Sequence, residues 1–423
     1  MKILVRQATI ADPASASNGQ VQDILIIDNT ITRIAPRIEE TADHTIAAKG
    51  LMVSPGWVDV FADFADPGYE FRETIASGAA AAAAGGFTRV FVIPNTSPVV
   101  ENKTQVEYIV NQSASLPVTV HPLGAVTKAA EGKELAEMFD MRNSGAIAFS
   151  DGISPVQSPG LLLKALQYTK AFEGVLIQVP VDKSIGAGGL INEGIVSTRL
   201  GLPGIPGIGE EISLRRDIDL LRYTQSRLHI TGVSLAASAE LVRAAKKEGL
   251  QVTCSVTPYH LFFCDEDLAE YDTNLKVSPP LRSRADMLAL RKAVVDGTVD
   301  CIASHHFPYD WDHKHCEFEY AKNGMGGLET VFAAVNHVLP ELSAEAMVKL
   351  FSLNARAIFG LPDAVIAEGA PAELSFFSRK GTTLLQQQQS RSKSSNSAFF
   401  GKELNGTVAG IVHKGHLIVN QTI

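Results

Sequence analysis

The first fifty residues alternate apolar and polar positions in short bursts, KILVRQATI, VQDILIIDNTITRIA and HTIAAKGLMV, with Asn, Gly and Pro between them. A period of two bounded by turn residues predicts antiparallel strands, so the chain opens on a small β unit. From about Gly56 the pattern changes. Short apolar runs (TRVFVIP, PVTVHPLGA, GAIAFSDG, GVLIQVP, RLHITGVS, QVTCSVTP, VDCIAS) alternate with helix-like segments such as TIASGAAAAAAGG and SAELVRAAKKEG. Sustained over roughly 300 residues, this alternation predicts an α/β fold with a parallel sheet wrapped by helices, and roughly eight units fit a closed (β/α)8 TIM-type barrel. After Leu361 short strands return and end in GTVAGIVHKGHLIVNQ. The two ends predict one small composite β-sandwich domain, residues 1–54 with 362–423, around a barrel at 55–361.

Two further stretches stand out. The tract QQQQSRSKSSNS at 386–397 is polar and low in complexity, which predicts a mobile loop. The alanine run at 79–84 predicts a small-residue helix face that packs closely on the barrel.

Composition narrows the class. The 423 residues, 45% hydrophobic and 20% charged, supply a large buried core. The net charge of −9 contains no block of either sign, which leaves neither nucleic acid nor an anionic membrane an obvious surface. No apolar run approaches the ~20 residues that span a bilayer, and MKILVRQATIADPAS has no signal-peptide core, so a cytoplasmic protein is expected. Cys254, Cys264, Cys301 and Cys316 show no CxxC spacing and read as ordinary thiols of a reducing compartment.

In a barrel of this kind the reacting groups follow the apolar runs, at the C-terminal ends of strands. Those positions are Phe61 through Asp66, Asn95, Asp151, Val179, His229, Tyr259 with His260, and His305 through Tyr309. Several have ordinary readings. Asp151 in FSDGISP reads as a turn-forming carboxylate on nearby backbone N–H groups, His229 as a hydrogen-bonded core histidine, and Asn95 as a residue suited to a Pro-bounded turn. The run HHFPYDWDHKHCEFE gathers His305, His306, His313, His315 and Cys316; it reads as a loop over the barrel mouth, with a new metal site as the alternative.

Taken together, PGWVDV with DPGYEFRET, AAAAGGFTRVFVIPNTSPV, EEISLRRDIDL, VTPYHL, DTNLKVSPPLRS, DGTVDCIASHHFPY and GGLET resemble the dihydroorotases of the cyclic amidohydrolase family. PNTSP and KVSPPLRS favour that group over dihydropyrimidinase and allantoinase. The resemblance implies a barrel carrying one or two zinc ions, whose hydroxide, available because Zn²⁺ lowers the pKa of bound water to about 7, attacks the ring amide of dihydroorotate.

The same resemblance shows what is missing. The family's His-x-His pair falls on Phe61 and Asp63, its bridging carboxylate on Asp151, two further His ligands on Val179 and His229, and its Asp ligand and general base on His305. Only Asp151 and His229 match, and Phe61 and Val179 carry no donor atom. The Arg that would grip the substrate carboxylate is Ala65; Asn95 is kept, but Ser278 stands for an Asn and Tyr309 for a His. Phe61, Trp57, Phe64 and Phe307 are expected to fill the metal and substrate space, while residues 85–88, Glu210, Arg216, Asp217 and 279–282 read as retained scaffold. The expectation is a dihydroorotase homologue of pyrimidine biosynthesis with a degenerate zinc site, no cofactor and no catalysis. Its role would be structural or regulatory, as a homodimer, with aspartate carbamoyltransferase as the partner. The alternatives are a cyclic amidohydrolase with one zinc on Asp63, Asp151, His229 and His305, and an active dihydroorotase hydrolysing dihydroorotate to N-carbamoyl-aspartate.

Overall fold

A computed structural model describes residues 1–420. The chain begins with β1 (Lys2–Ile10), β2 (Val21–Ile27) and β3 (Thr30–Ala35) in an antiparallel meander. Asp28 and Asn29 turn the β2–β3 hairpin at φ of 46° and 68°, a left-handed pair that Asp and Asn tolerate. Next, β4 (His44–Ile46) and β5 (Met52–Pro55) lie parallel to β1.

The barrel starts with β6 (Trp57–Ala62), β7 (Phe87–Val92), β8 (Thr119–Gly124), β9 (Ala148–Phe149) and β10 (Leu176–Gln178). A separate short ribbon of β11 (Ile191–Asn192) and β12 (Gly204–Ile205) interrupts it. Then β13 (Leu228–Thr231), β14 (Val252–Val256) and β15 (Cys301–Ile302) complete eight parallel strands in chain order. A bridge between Ala62 and His306 nearly closes the ring, with Asp63 N–H donating to His306 C=O at 2.8 Å. Inside that seam Ser304 donates through N and Oγ to Asp59 at 2.7 and 2.6 Å. Burial pushes the Asp59 carboxyl up to about 7.

The chain then returns to the first sheet. β16 (Leu374–Leu384) pairs antiparallel with β5 and with β17 (Glu403–His413), which pairs with β18 (His416–Val419). One curled sheet, ordered β18-β17-β16-β5-β1-β2-β3, encloses its own core of Ile3, Val5, Ile24, Ile26, Val53 and Phe376. Glu373 ties this sheet to the barrel: it accepts from Thr88 Oγ1 at 2.9 Å, from Arg89 Nε at 2.8 Å, and from Arg356.

The helix Ile75–Ala84 is capped by Thr74, whose Oγ1 accepts from Ser77 N. Its small residues let it lie against the barrel: a Cβ on Gly78 would stand 2.5 Å from the Phe64 ring. Among the described residues no helix is long and apolar enough to cross a membrane. All four cysteines are free.

Two expectations need correction. Residues 386–397 are bound down rather than loose: Ser392 donates to Glu73, Ser394 Oγ to Arg72 C=O at 2.6 Å, and Asn396 Nδ2 to Phe307 C=O at 2.9 Å. Tyr309 N–H in turn donates to Asn396 Oδ1 at 2.9 Å. Trp57 and Phe64 also do not fill the site. A bulge between Trp57 and Val58 turns the indole outward among Phe87, Phe332, Phe351 and Phe377, while Phe64 packs under Gly78.

Candidate functional site

The C-terminal ends of the barrel strands surround a cavity of about 680 Å³. Its buried floor is Phe61, Val179, His305 and Phe307, and its walls include Arg72, Lys183, Glu210, Ser278, Arg282 and Tyr309. The His305 ring lies 4.6 Å from Phe61 and 5.9 Å from Phe307, centroid to centroid. Of the four aromatic residues expected in this space, Phe61 and Phe307 are there.

The polar positions named from sequence do not converge. Asp63 is buried, accepting from Ala65 N–H and Arg72 Nη2, both at 2.7 Å; burial raises its pKa and Arg72 opposes the rise. Ala65 adopts a left-handed φ of 57° to make that bond. Asp151 accepts from Val126 N–H at 2.8 Å, Thr127 N–H at 2.9 Å and Thr127 Oγ1 at 2.5 Å. These backbone donors belong to the loop after β8 rather than to the turn of Asp151 itself. Burial nevertheless pushes the carboxyl up to about 6.

Asn95 joins two loops, donating to Asp151 C=O and accepting from Ile153 N–H, each at 3.1 Å. His229 is buried with Nδ1 at 2.9 Å from Thr253 Oγ1 and Nε2 at 3.1 Å from Ser255 Oγ. Burial pulls its pKa down to about 3. His305 sits 2.8 Å from Thr231 Oγ1 through Nε2 and is likewise lowered to about 3 by burial. Ser278 lies exposed at the cavity edge.

These residues do not fit a zinc centre. A catalytic zinc takes three protein ligands plus water. Of the positions expected from sequence, Phe61 and Val179 carry no donor atom, both carboxylates are engaged by protein donors, and both nitrogens of His229 are partnered. Among the described residues no three His, Cys, Asp or Glu side chains are grouped to hold a metal ion. The histidine-rich run does not supply one either. His306 turns away from His305 to Glu73 at 3.3 Å, His313 pairs with Asp310, and His315 stacks under Trp311 at 4.1 Å.

Sequence reading missed two features of the walls. Arg72 enters from the DPGYEFRET loop, its guanidinium 4.2 Å over the Tyr309 ring and its Nε donating to Pro308 C=O at 2.9 Å. Nothing periodic marks such a loop residue; its charge beside Asp63 was the available signal. The second is the place of Glu210 and Arg282: read as scaffold, they form a buried ion pair at 3.3 Å that also lines the cavity, with Ser234 bridging both.

Comparison with known proteins gives a consistent result. A family model described as dihydro-orotase-like matches residues 50–238. A curated dihydroorotase of Syntrophus aciditrophicus is 39% identical across 100% of both chains, and that of Pelotomaculum thermopropionicum is 39% identical with the same coverage. Among solved structures, the L-hydantoinase (dihydropyrimidinase) of Arthrobacter aurescens superposes with a TM-score of 0.86 at 23% identity, covering 99% of this chain and 96% of that one. A D-hydantoinase matches at 0.84 and 19%, covering 99% and 95%. At such identities the structural likeness shows the fold, a TIM-type barrel with a β-rich domain.

Proposed function

We propose that this chain, which belongs to the dihydroorotase-like family, serves pyrimidine biosynthesis without itself hydrolysing dihydroorotate through a zinc-bound hydroxide. One observation carries this reading: of the family's six metal positions, Phe61 and Val179 offer no donor, and Asp63, Asp151, His229 and His305 are each held by protein hydrogen bonds. A rebuilt site with one zinc on those four would require Asp63, Asp151 and His229 to release partners and all four to converge.

The test is metal content by plasma mass spectrometry on untagged protein from zinc-supplemented medium, with turnover assayed from both dihydroorotate and N-carbamoyl-aspartate. Near-zero metal and no turnover support the proposal. About one zinc per chain, lost together with turnover in Asp151→Ala or His229→Ala, overturns it. The role left to such a homologue is structural or regulatory, as a homodimer that assembles with aspartate carbamoyltransferase. Size-exclusion of the mixed proteins with an assay of the transferase checks this; separate elution with unchanged transferase activity removes the partner.

A further inference from the structure

Arg72 is buried in the cavity wall and fixed on three sides. Its Nη2 donates to Asp63 Oδ2 at 2.7 Å, its Nε donates to Pro308 C=O at 2.9 Å, and its guanidinium lies 4.2 Å over the Tyr309 ring. One end of the fork is left over: Nη1 has no hydrogen-bond partner among the described residues, and protein does not enclose it. The open space beside this buried residue is the cavity, which Arg72 lines. A planar donor held in this way needs little ordering when an acceptor arrives.

The other charged groups of the walls decide what that acceptor is. Lys183 and Lys322 stand exposed on the cavity, and neither ammonium is paired among the described residues. The carboxylates, by contrast, are engaged. Glu210 accepts from Ser234 N–H at 2.9 Å, Leu235 N–H at 3.2 Å and Arg282 Nη2 at 3.3 Å. Asp182 caps its own turn, accepting from Ser184 N–H at 2.8 Å and Ile185 N–H at 3.2 Å. Behind the walls, Asp63 and Asp151 are taken up by Ala65, Arg72, Val126 and Thr127. Cationic donors remain without acceptors, which favours an anionic ligand over a cationic one.

The rest of the lining is apolar. Phe61, Val179 and Phe307 form the buried floor, and Phe71 and Ile153, 55% and 53% exposed, continue it to the mouth. A ureide ring on this floor would leave its own N–H and C=O groups facing Phe61 and Val179 without partners. The Phe61 and Phe307 rings, 6.2 Å apart and edge to face, suit an aromatic body instead.

We propose that the cavity binds an aryl-alkyl monocarboxylate, its aromatic body among Phe61, Val179 and Phe307 and its carboxylate accepting from Arg72 Nη1 in the field of Lys183 and Lys322. This rests on the reading that no zinc ion occupies the floor.

The test is isothermal titration of the full-length chain with 3-phenylpropionate, with 3-phenylpropanamide, which has the same shape without the charge, and with dihydroorotate. The acid is expected to bind about tenfold more tightly than the amide, the worth of one charge-assisted hydrogen bond, and more tightly than dihydroorotate. Arg72→Lys keeps a cation beside Asp63 but lacks Nη1; it is expected to weaken the acid about tenfold and leave the amide unchanged. Lys183→Gln alters an exposed side chain and is expected to weaken the acid about threefold. Equal binding of acid and amide, tighter binding of dihydroorotate, no binding of the acid, or an acid affinity that neither variant moves overturns the proposal. Zinc measured on the same sample separates the two failures: near-zero zinc without binding of the acid sinks this inference alone, whereas about one zinc per chain sinks the reading beneath it.

Discussion

Replacing Asp151 with Asn makes the chain more stable at neutral pH if no cation shares that carboxylate. Burial raises the Asp151 pKa from 3.8 to about 6, more than the Thr127 and Val126 donors recover. Below about pH 4 the group is protonated whether the chain is folded or unfolded, and no cost arises. Between about pH 4 and 6 the unfolded chain releases the proton while the folded chain keeps it, so stability falls as pH rises, and above about 6 the loss is complete. A shift of about two units corresponds to about 3 kcal/mol. Asn does not ionise and escapes this loss, but it leaves the Thr127 hydroxyl without its acceptor, a pH-independent cost of about 1–2 kcal/mol. The difference between the Asn variant and the unaltered chain is therefore expected to move by about 3 kcal/mol in favour of Asn from pH 4 to 7, ending about 1–2 kcal/mol more stable. Urea unfolding of both chains in chelator, at about pH 4, 5, 6 and 7 with m-values compared, measures it. A difference that is flat with pH, or that turns against Asn as pH rises, refutes the reasoning; the second pattern belongs to a carboxylate whose pKa the fold lowers rather than raises.

Three further outcomes are expected. Glu373 behaves oppositely to Asp151: burial would raise its pKa, but Arg89, Arg356 and His413 bring it from 4.5 down to about 2. Its stabilisation is present above about pH 4.5 and lost as pH falls toward 2, so Glu373→Gln is expected to cost about 3 kcal/mol at pH 7 and progressively less in acid, read by the same unfolding series. Gly232→Ala places a Cβ against His305 at a φ of 74°, and a loss of about 1–3 kcal/mol in thermal unfolding is expected. Ser392→Ala removes one donor to buried Glu73, and trypsin cleavage after Arg391 and Lys393 is expected to quicken by about tenfold in timed digests.

The barrel was legible because its strands are buried on both faces and so read as unbroken apolar runs between amphipathic segments, VFVIP and VTCSV among them. The parity of those strands was not. Trp57 and Phe61 are four residues apart and share a face in an unbroken strand, but the bulge after Trp57 sends one outward and leaves the other in the cavity. Residues 386–397 misled for a different reason: composition records that a group is polar, not whether water or a buried carbonyl satisfies it, and Ser394 and Asn396 meet carbonyls. That Phe61 and Val179 carry no donor atom was readable one position at a time. How the remaining polar positions are engaged was not, because a contact such as that of Thr231 Oγ1 with His305 Nε2 joins residues 74 apart in sequence.

Residues 386–397 belong to the connection between β16 and β17, outside the strand–helix repeats, yet they brace Arg72 and Tyr309 on the cavity wall and Phe307 on its floor. The outline of the opening is thus set partly by a hairpin loop of the composite sheet. Such a loop tolerates insertion and loss of residues far better than a barrel strand does. Relatives of this chain can therefore reshape the entrance by changing the length of one connection while all eight strands keep their register.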